Sequence, residues 1–164
     1  MRGIRREKSD GVTAILGRDG WAVGVELADG ERIAASGIVV DGNLRMSDEG
    51  VFAIGDCARY PNRFAGTEMR VESVQNATDH ARHVAAVLTG AAESDYRSVL
   101  WFWSTQGDRR LQIAGIAMPD DEARPIEQGD DGKLVVERWR AGRLVAVETI
   151  NAPGPHMPAR RALA

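Results

Sequence analysis

Twelve consecutive residues decide how this chain is interpreted: Ser47-Asp-Glu-Gly-Val-Phe-Ala-Ile-Gly-Asp-Cys-Ala58. Residues 51–54 form a continuous apolar run, which is typical of a strand buried on both faces of a sheet. The run leads into Gly55 and then Asp56, and ligands of α/β sheets bind at such strand ends. Glycine lets a ligand approach the main chain closely, and aspartate accepts hydrogen bonds from ribityl or ribose hydroxyls. The dipeptide alone is more typical of an ordinary turn, but its context favours a ligand site.

A helix is predicted shortly after this motif, because apolar residues recur three and four positions apart. These residues are Val74, Ala77, Ala81, Val84, Ala85 and Leu88. Ser73 is its predicted N-cap and Gly90 its predicted C-terminal stop. The free N–H groups at a helix N-terminus favour an anionic group placed against them. By itself, however, this pattern is more typical of an ordinary capped amphipathic helix.

The rest of the chain predicts short strands on either side of this segment, and hence an α+β fold. Residues 12–33 have the pattern of a strand meander, and residues 37–41 that of one further short strand. A boundary is expected at residues 90–95. Beyond it, the predicted elements are a strand at 111–116, a hairpin of 133–138 with 143–150 around Ala141-Gly142, and a short basic helix within 153–164.

Composition limits the possible functions. The chain has 164 residues, of which 43% are hydrophobic and 27% charged, as in a folded soluble protein. A net charge of −3 gives no overall electrostatic footprint for nucleic acid or anionic lipid. Cys57 is the single cysteine, so an intramolecular disulfide is excluded. No apolar run approaches the ~18 residues that span a bilayer, and we expect a cytoplasmic protein.

Several other side chains are candidate site residues. His80 and His83, with Asp79, have a spacing that suits a metal, but a solvated helix face is the favoured interpretation. Cys57 is expected to be a small, buried and inert thiol. Trp101 and Phe102 are expected in the core. Arginines that could form a patch for an acidic partner, or simply lie on the surface, are Arg109, Arg110, Arg160 and Arg161.

Four segments in this order resemble the C-terminal portion of the FAD-dependent, NAD(P)H-linked ferredoxin and rubredoxin reductases. That group includes the putidaredoxin, rhodocoxin and dioxygenase-ferredoxin reductases. The segments are residues 47–58, 71–77, 101–108 and 151–164. The resemblance implies a remnant of an NAD(P)-binding domain at 1–37, the C-terminal segment of an FAD-binding domain at 38–98, and a reductase C-terminal domain at 99–164.

The resemblance also implies which residues bind the flavin, and it assigns neither a catalytic residue nor a metal ligand. Asp56 corresponds to the ribityl-binding aspartate, and the main chain of Val74 to the group that meets the pyrimidine edge. Trp103 looks like the tryptophan near the isoalloxazine ring, and Glu72 resembles an acidic residue near the nicotinamide. The full set of implied contacts is Gly55, Asp56, Glu72, Ser73, Val74, Gln75 and Trp103.

The implied activity is hydride transfer from NAD(P)H to FAD, followed by single-electron delivery to a ferredoxin or rubredoxin. One cysteine agrees with this branch, because reductases that use a redox disulfide need two. The chain is expected to form a homo-oligomer or to require a complementing chain.

The sequence departs from the family pattern in two ways. It contains no Gly-x-Gly, although pyrophosphates need Gly-rich turns at helix N-termini. Judged against the family, roughly two dozen residues are missing between Ser36 and Gly37. We therefore expect the isolated chain to bind FAD weakly and to lack NADH-dependent activity. The alternative hypothesis is a non-catalytic interaction or dimerisation module descended from such a reductase.

Overall fold

The computed structural model describes residues 12–18, 21–34, 37–47, 50–129 and 131–164. These residues belong to two compact units, Met1–Ile38 and Val39–Ala164. In the described ranges strands predominate and two α-helices accompany them, so the predicted α+β class is confirmed. None of the helices in the described ranges is long and apolar enough to cross a membrane.

The first unit contains the predicted strand meander. Its three strands form one antiparallel sheet in the order β1-β2-β3, and they are β1 (Val12–Arg18), β2 (Trp21–Leu27) and β3 (Arg32–Ala34). Gly24 is required where β2 meets β3, because a Cβ there would lie 2.4 Å from the carbonyl oxygen of Ile33. Residues 19, 20, 35 and 36, which include part of the first turn and the expected deletion point, lie outside the described residues.

Next along the chain come a small sheet in the order β4-β5-β6 and a long helix. These elements are β4 (Ile38–Val39), β5 (Ala58–Asn62), β6 (Thr67–Arg70) and α1 (Val74–Leu88). β5 and β6 form an antiparallel hairpin. The Asn62 side chain accepts the backbone N–H groups of Phe64 and Ala65 and so closes the turn between the two strands.

Residues 51–54 do not form the predicted buried strand. Phe52 makes an isolated bridge to Arg45, while Val51 and Ile54 are exposed and Ala53 alone is buried. A strand needs a neighbour along its length to pair its backbone groups, and within the described part of the chain this run has only that bridge. The apolar pattern therefore predicted a strand where the described structure has a segment with one isolated bridge.

Helix α1 has the predicted ends but buries a different face. Gly90, with φ of 71°, follows it and donates to the carbonyl of Val87. Val74 and Leu88 are 73% and 69% exposed, whereas the residues that α1 buries are Gln75, Asn76 and His80. The expectation of a solvated face around His80 is therefore wrong. Its burial is possible because Asn76 and His80 find polar and aromatic partners, described below.

The remainder of the second unit is a five-stranded antiparallel sheet in the order β7-β8-β11-β10-β9 with one helix. Its elements are β7 (Trp101–Gln106), β8 (Arg109–Gly115), β9 (Glu122–Gln128), β10 (Leu134–Arg140), β11 (Arg143–Ile150) and α2 (His156–Leu163). The predicted hairpin and basic helix are confirmed. Ala141 and Gly142 both have positive φ, 48° and 77°, as the tight two-residue turn of the hairpin requires.

Arg140, at the end of β10, joins this sheet to the β5–β6 turn. Asp121 is buried, and its two carboxylate oxygens accept from Nε and Nη2 of Arg140 at 2.6 and 2.7 Å. Nη1 of Arg140 also donates to the carbonyl oxygen of Phe64 at 2.8 Å. The guanidinium holds the pKa of Asp121 down, to about 2. Arg140 therefore fixes where the turn lies against the five-stranded sheet.

Replacing Arg140 by methionine should lower the Tm by several degrees, because the buried carboxylate of Asp121 and the carbonyl of Phe64 would lose their hydrogen-bond donor. The matched control is Arg124→Met, which removes an exposed pair with Glu122 and should change Tm by about one degree or less. Thermal unfolding followed by circular dichroism compares the two variants. Equal shifts would contradict this role of Arg140.

Candidate functional site

The Gly55–Asp56 pair lies in a single 3₁₀ turn, Gly55–Cys57, that rests against α1. Gly55 has φ of 70°, in the region that favours glycine, and a Cβ added there would lie 3.3 Å from the Cβ of Ala77. Its backbone N–H donates to Nδ1 of His80 at 3.1 Å. Asp56 is exposed, and its carboxylate has no partner among the described residues. The hydrogen bond from Gly55 to His80 therefore holds the turn against α1, and the carboxylate of Asp56 is accessible to solvent.

The N-terminus of α1 is capped as the sequence predicted. The Oγ atom of Ser73 accepts the N–H of Asn76 at 3.1 Å, and the carbonyl of Ser73 accepts that of Ala77. The N–H groups of Val74 and Gln75 precede the first intrahelical hydrogen bond. They are the donors that this helix end offers to an acceptor outside the helix.

Gln75 joins α1 to β7 through its side chain. It is buried, and its Oε1 accepts the backbone N–H of Trp101 at 3.2 Å, while its Nε2 donates to the carboxylate of Asp79. Both ends of the amide are therefore occupied. Gln75 is one of the expected cofactor contacts. Because its side-chain amide already has partners, the group that can contact the cofactor is its backbone N–H.

Strand β7 carries the tryptophan that the sequence singled out. The Trp101 and Trp103 rings are stacked with centroids 5.1 Å apart, and the guanidinium of Arg160 lies 4.6 Å from the Trp101 centroid. Trp103 is 45% exposed. Phe102 is 41% exposed, so its expected place in the core is wrong. Gln75 at the start of α1 thus contacts Trp101, and Trp101 stacks on the accessible indole of Trp103.

A buried polar cluster, made of Tyr60, Asn62, Asn76, His80 and Tyr96, lies behind the turn. Asn76 Oδ1 accepts from the hydroxyls of Tyr60 and Tyr96 at 3.1 and 3.2 Å, and Asn62 Nδ2 donates to the Tyr60 hydroxyl. The His80 ring packs edge to face against both tyrosine rings, with centroids 4.7 and 4.5 Å away. Burial raises the pKa of Tyr60 to about 12 and lowers that of His80 to about 4.

Sequence patterns did not reveal the buried polar cluster. One available signal is the pair Asn76 and His80, which are four residues apart and therefore share one face of the helix. The aromatic partners come from elsewhere in the chain, and this distant pairing makes the polar face a buried one.

Two further expectations concern Cys57 and Glu72. Cys57 is exposed, contrary to the expected buried thiol, and its Sγ donates to the carbonyl of Ile54 at 3.3 Å. Glu72 is exposed and paired with Arg70 at 2.6 Å. In the described ranges, no three His, Cys, Asp or Glu side chains are grouped so that they could hold a metal ion.

A cavity of about 380 Å³ opens elsewhere on the second unit. The β5–β6 hairpin and the segment at residues 95–97 contribute most of its lining. None of the predicted flavin contacts lines it, so it gives no support to a flavin site.

Comparisons with known proteins agree with this architecture. The family model described as pyridine nucleotide-disulphide oxidoreductase matches residues 3–81, and the model described as reductase C-terminal matches residues 101–164. Rhodocoxin reductase of Rhodococcus erythropolis is 39% identical over 186 aligned positions, which cover 99% of this chain and 43% of the relative. This alignment is longer than the 164-residue chain, so the relative contains residues without a counterpart here.

Two other similar proteins extend the comparison. Rubredoxin-NAD(+) reductase of Ectopseudomonas oleovorans is 31% identical, covering 92% of the chain and 45% of that protein. The crystal structure of the covalent putidaredoxin reductase–putidaredoxin complex superposes with a TM-score of 0.71 at 25% identity, covering 93% of this chain and 43% of the solved one. The chain spans less than half the length of these relatives. It belongs to the pyridine nucleotide-disulphide oxidoreductase family and corresponds to the C-terminal portion of its FAD-dependent ferredoxin and rubredoxin reductases.

Proposed function

We propose that this chain supplies one wall of an FAD site in a reductase that passes electrons from NAD(P)H to a one-electron carrier. The observation that carries the proposal is the role of α1. Through His80 it holds the turn with Asp56, and through Gln75 it holds the strand with Trp103. Three groups suited to different parts of a flavin are therefore attached to one helix.

The residues present fit a flavin. An exposed carboxylate without a partner among the described residues, that of Asp56, suits the ribityl hydroxyls. The N–H groups of Val74 and Gln75, at the positive end of a helix, suit the electron-rich pyrimidine edge. The exposed part of Trp103 suits contact with a planar ring. Bound FAD supplies the chemistry that accepts a hydride and releases its electrons one at a time.

The other proposed contacts surround these groups. Gly55 allows close approach of the ribityl chain, Ser73 fixes the helix end through its cap, and Glu72 lies beside it. In this proposal residues 38–98 belong to the FAD-binding domain, residues 99–164 cover the flavin, and residues 1–37 derive from the NAD(P)-binding domain. The nicotinamide site itself would be formed by parts that this sequence does not contain.

The proposed electron acceptor is a ferredoxin or a rubredoxin. The names of the relatives support this class, since they include a rhodocoxin reductase and a rubredoxin reductase, and the solved complex holds putidaredoxin. Single-electron transfer also agrees with the one-cysteine count, because a dithiol relay needs a second thiol.

The purified chain should contain little flavin and should not reduce an acceptor with NADH. The reason is that it contains no Gly-x-Gly turn to hold the FAD pyrophosphate. A visible absorption spectrum, recorded with and without added FAD and followed by an NADH-dependent acceptor assay, tests this. A yellow preparation that turns over would contradict the proposed dependence on the missing parts.

Replacing Asp56 by alanine should weaken the residual affinity of the chain for FAD by about tenfold, since charge-assisted hydrogen bonds to the ribityl hydroxyls would be lost. Quenching of tryptophan fluorescence by millimolar FAD provides the measurement. Asp108→Ala is the matched control, because Asp108 is an exposed carboxylate in the β7–β8 turn. The two variants binding FAD alike would overturn the assignment of Asp56.

The second candidate function is a non-catalytic interaction module. One observation favours it: α1 leaves an apolar stripe exposed, of which Val74 and Leu88 are the largest members. Burying such a stripe against another chain would be favourable. Self-association in sedimentation experiments, together with the absence of any FAD binding, would favour this module over the reductase.

A further inference from the structure

The contact between Gly55 and His80 fixes the protonation state of the histidine ring. A backbone N–H can only donate, so Nδ1 of His80 must present its lone pair to Gly55. The neutral ring then carries its proton on Nε2. Nε2 is buried and has no hydrogen-bond partner among the described residues. The one polar contact of this buried ring is therefore the one that holds the Gly55–Asp56 turn.

The surroundings of the ring oppose a positive charge. His80 is fully buried between the rings of Tyr60, on β5, and Tyr96, in the segment before β7. His83 lies one helical turn further along α1 and adds repulsion. The carboxylate of Asp56 on the turn is of the opposite sign, but Asp56 is exposed to solvent and does not offset the burial of the ring. Burial is the largest influence, and it lowers the pKa of His80 to about 4.

We propose that His80 is a positioning residue for the flavin contact, whose neutral Nδ1 holds the Gly55–Asp56 turn in the geometry that presents Asp56 to the ribityl chain. This inference rests on the proposed function. Protonation would place an N–H on Nδ1 opposite the N–H of Gly55, and two donors cannot share a hydrogen bond. His80 therefore acts through Gly55 rather than by touching the cofactor.

The pH dependence follows from the direction of this pKa. Above about pH 6.5 the ring is neutral in both the folded and the unfolded chain, and the contact is intact. Between about pH 6.5 and 4 the unfolded chain binds the proton more readily than the folded one, so the folded state loses stability as the pH falls. The hydrogen bond to Gly55 should itself be lost as the pH approaches about 4.

Two variants distinguish the effect of the hydrogen bond between His80 and Gly55 from the effect of packing a side chain at position 80. His80→Asn can place an amide oxygen where Nδ1 lies, which keeps an acceptor that does not titrate. His80→Leu removes the acceptor and keeps an apolar side chain. In the full ¹⁵N-labelled chain at pH 7, the Gly55 amide should exchange with solvent about tenfold faster in His80→Leu than in the native chain. In His80→Asn it should stay within about threefold of the native rate, and amides in the middle of α1 should be unchanged in both.

A pH series on the native chain tests the proposal even if His80→Leu fails to fold. The imidazole ¹⁵N resonances of His80 should stay constant from pH 7.5 down to about 5.5 and then shift, and over the same range the Gly55 amide should lose protection in the native chain but not in His80→Asn. A titration centred near pH 6.5, the ordinary value for histidine, would overturn the assignment. Equal protection of the Gly55 amide in His80→Leu and the native chain would overturn it as well.

FAD affinity distinguishes this proposal from the proposed function. Quenching titrations should give weaker binding for His80→Leu than for His80→Asn by about threefold to tenfold. If the Gly55 amide responds as stated and the two variants bind FAD equally, the positioning role is overturned while the flavin site stands. If neither variant nor the native chain binds FAD, the proposed flavin function is overturned, and the positioning role is overturned with it. The hydrogen bond between Gly55 and His80 would then have a structural role only.

Discussion

Two hydrogen bonds made by buried polar side chains of α1 are the constraint on which the site depends. His80 accepts the N–H of Gly55, and Gln75 accepts the N–H of Trp101. The acceptors lie five residues apart on one helix, so the two backbones are held at a spacing set by a rigid element. A buried amide N–H without a partner is costly, which makes each contact a strong requirement on geometry.

The same helix explains why its apolar stripe is exposed. Asn76 and His80 are buried because the tyrosines of the polar cluster satisfy or enclose them. Because this polar face of α1 is buried, Val74 and Leu88 on its other side are exposed to solvent.

The sequence predicted those features that depend on local chemistry. Ser73 and Gly90 marked the ends of α1, and Ala141-Gly142 marked a hairpin, because caps and tight turns are decided by a few adjacent residues. Periodicity indicated which residues share a face of α1, but not which face is buried, since that depends on distant partners. Asp56 and Trp103 were identified through family resemblance. The positioning roles of Gln75 and His80 required long-range contacts that no local pattern contains.

The central claim is that Asp56, the start of α1 and Trp103 contact one flavin. A crystal structure of the chain grown with millimolar FAD tests it most directly. We expect ribityl hydroxyls within hydrogen-bond distance of the Asp56 carboxylate, the pyrimidine edge at the N–H groups of Val74 and Gln75, and the ring system beside Trp103. Flavin density on another surface, or these three groups separated by packed side chains, would contradict it.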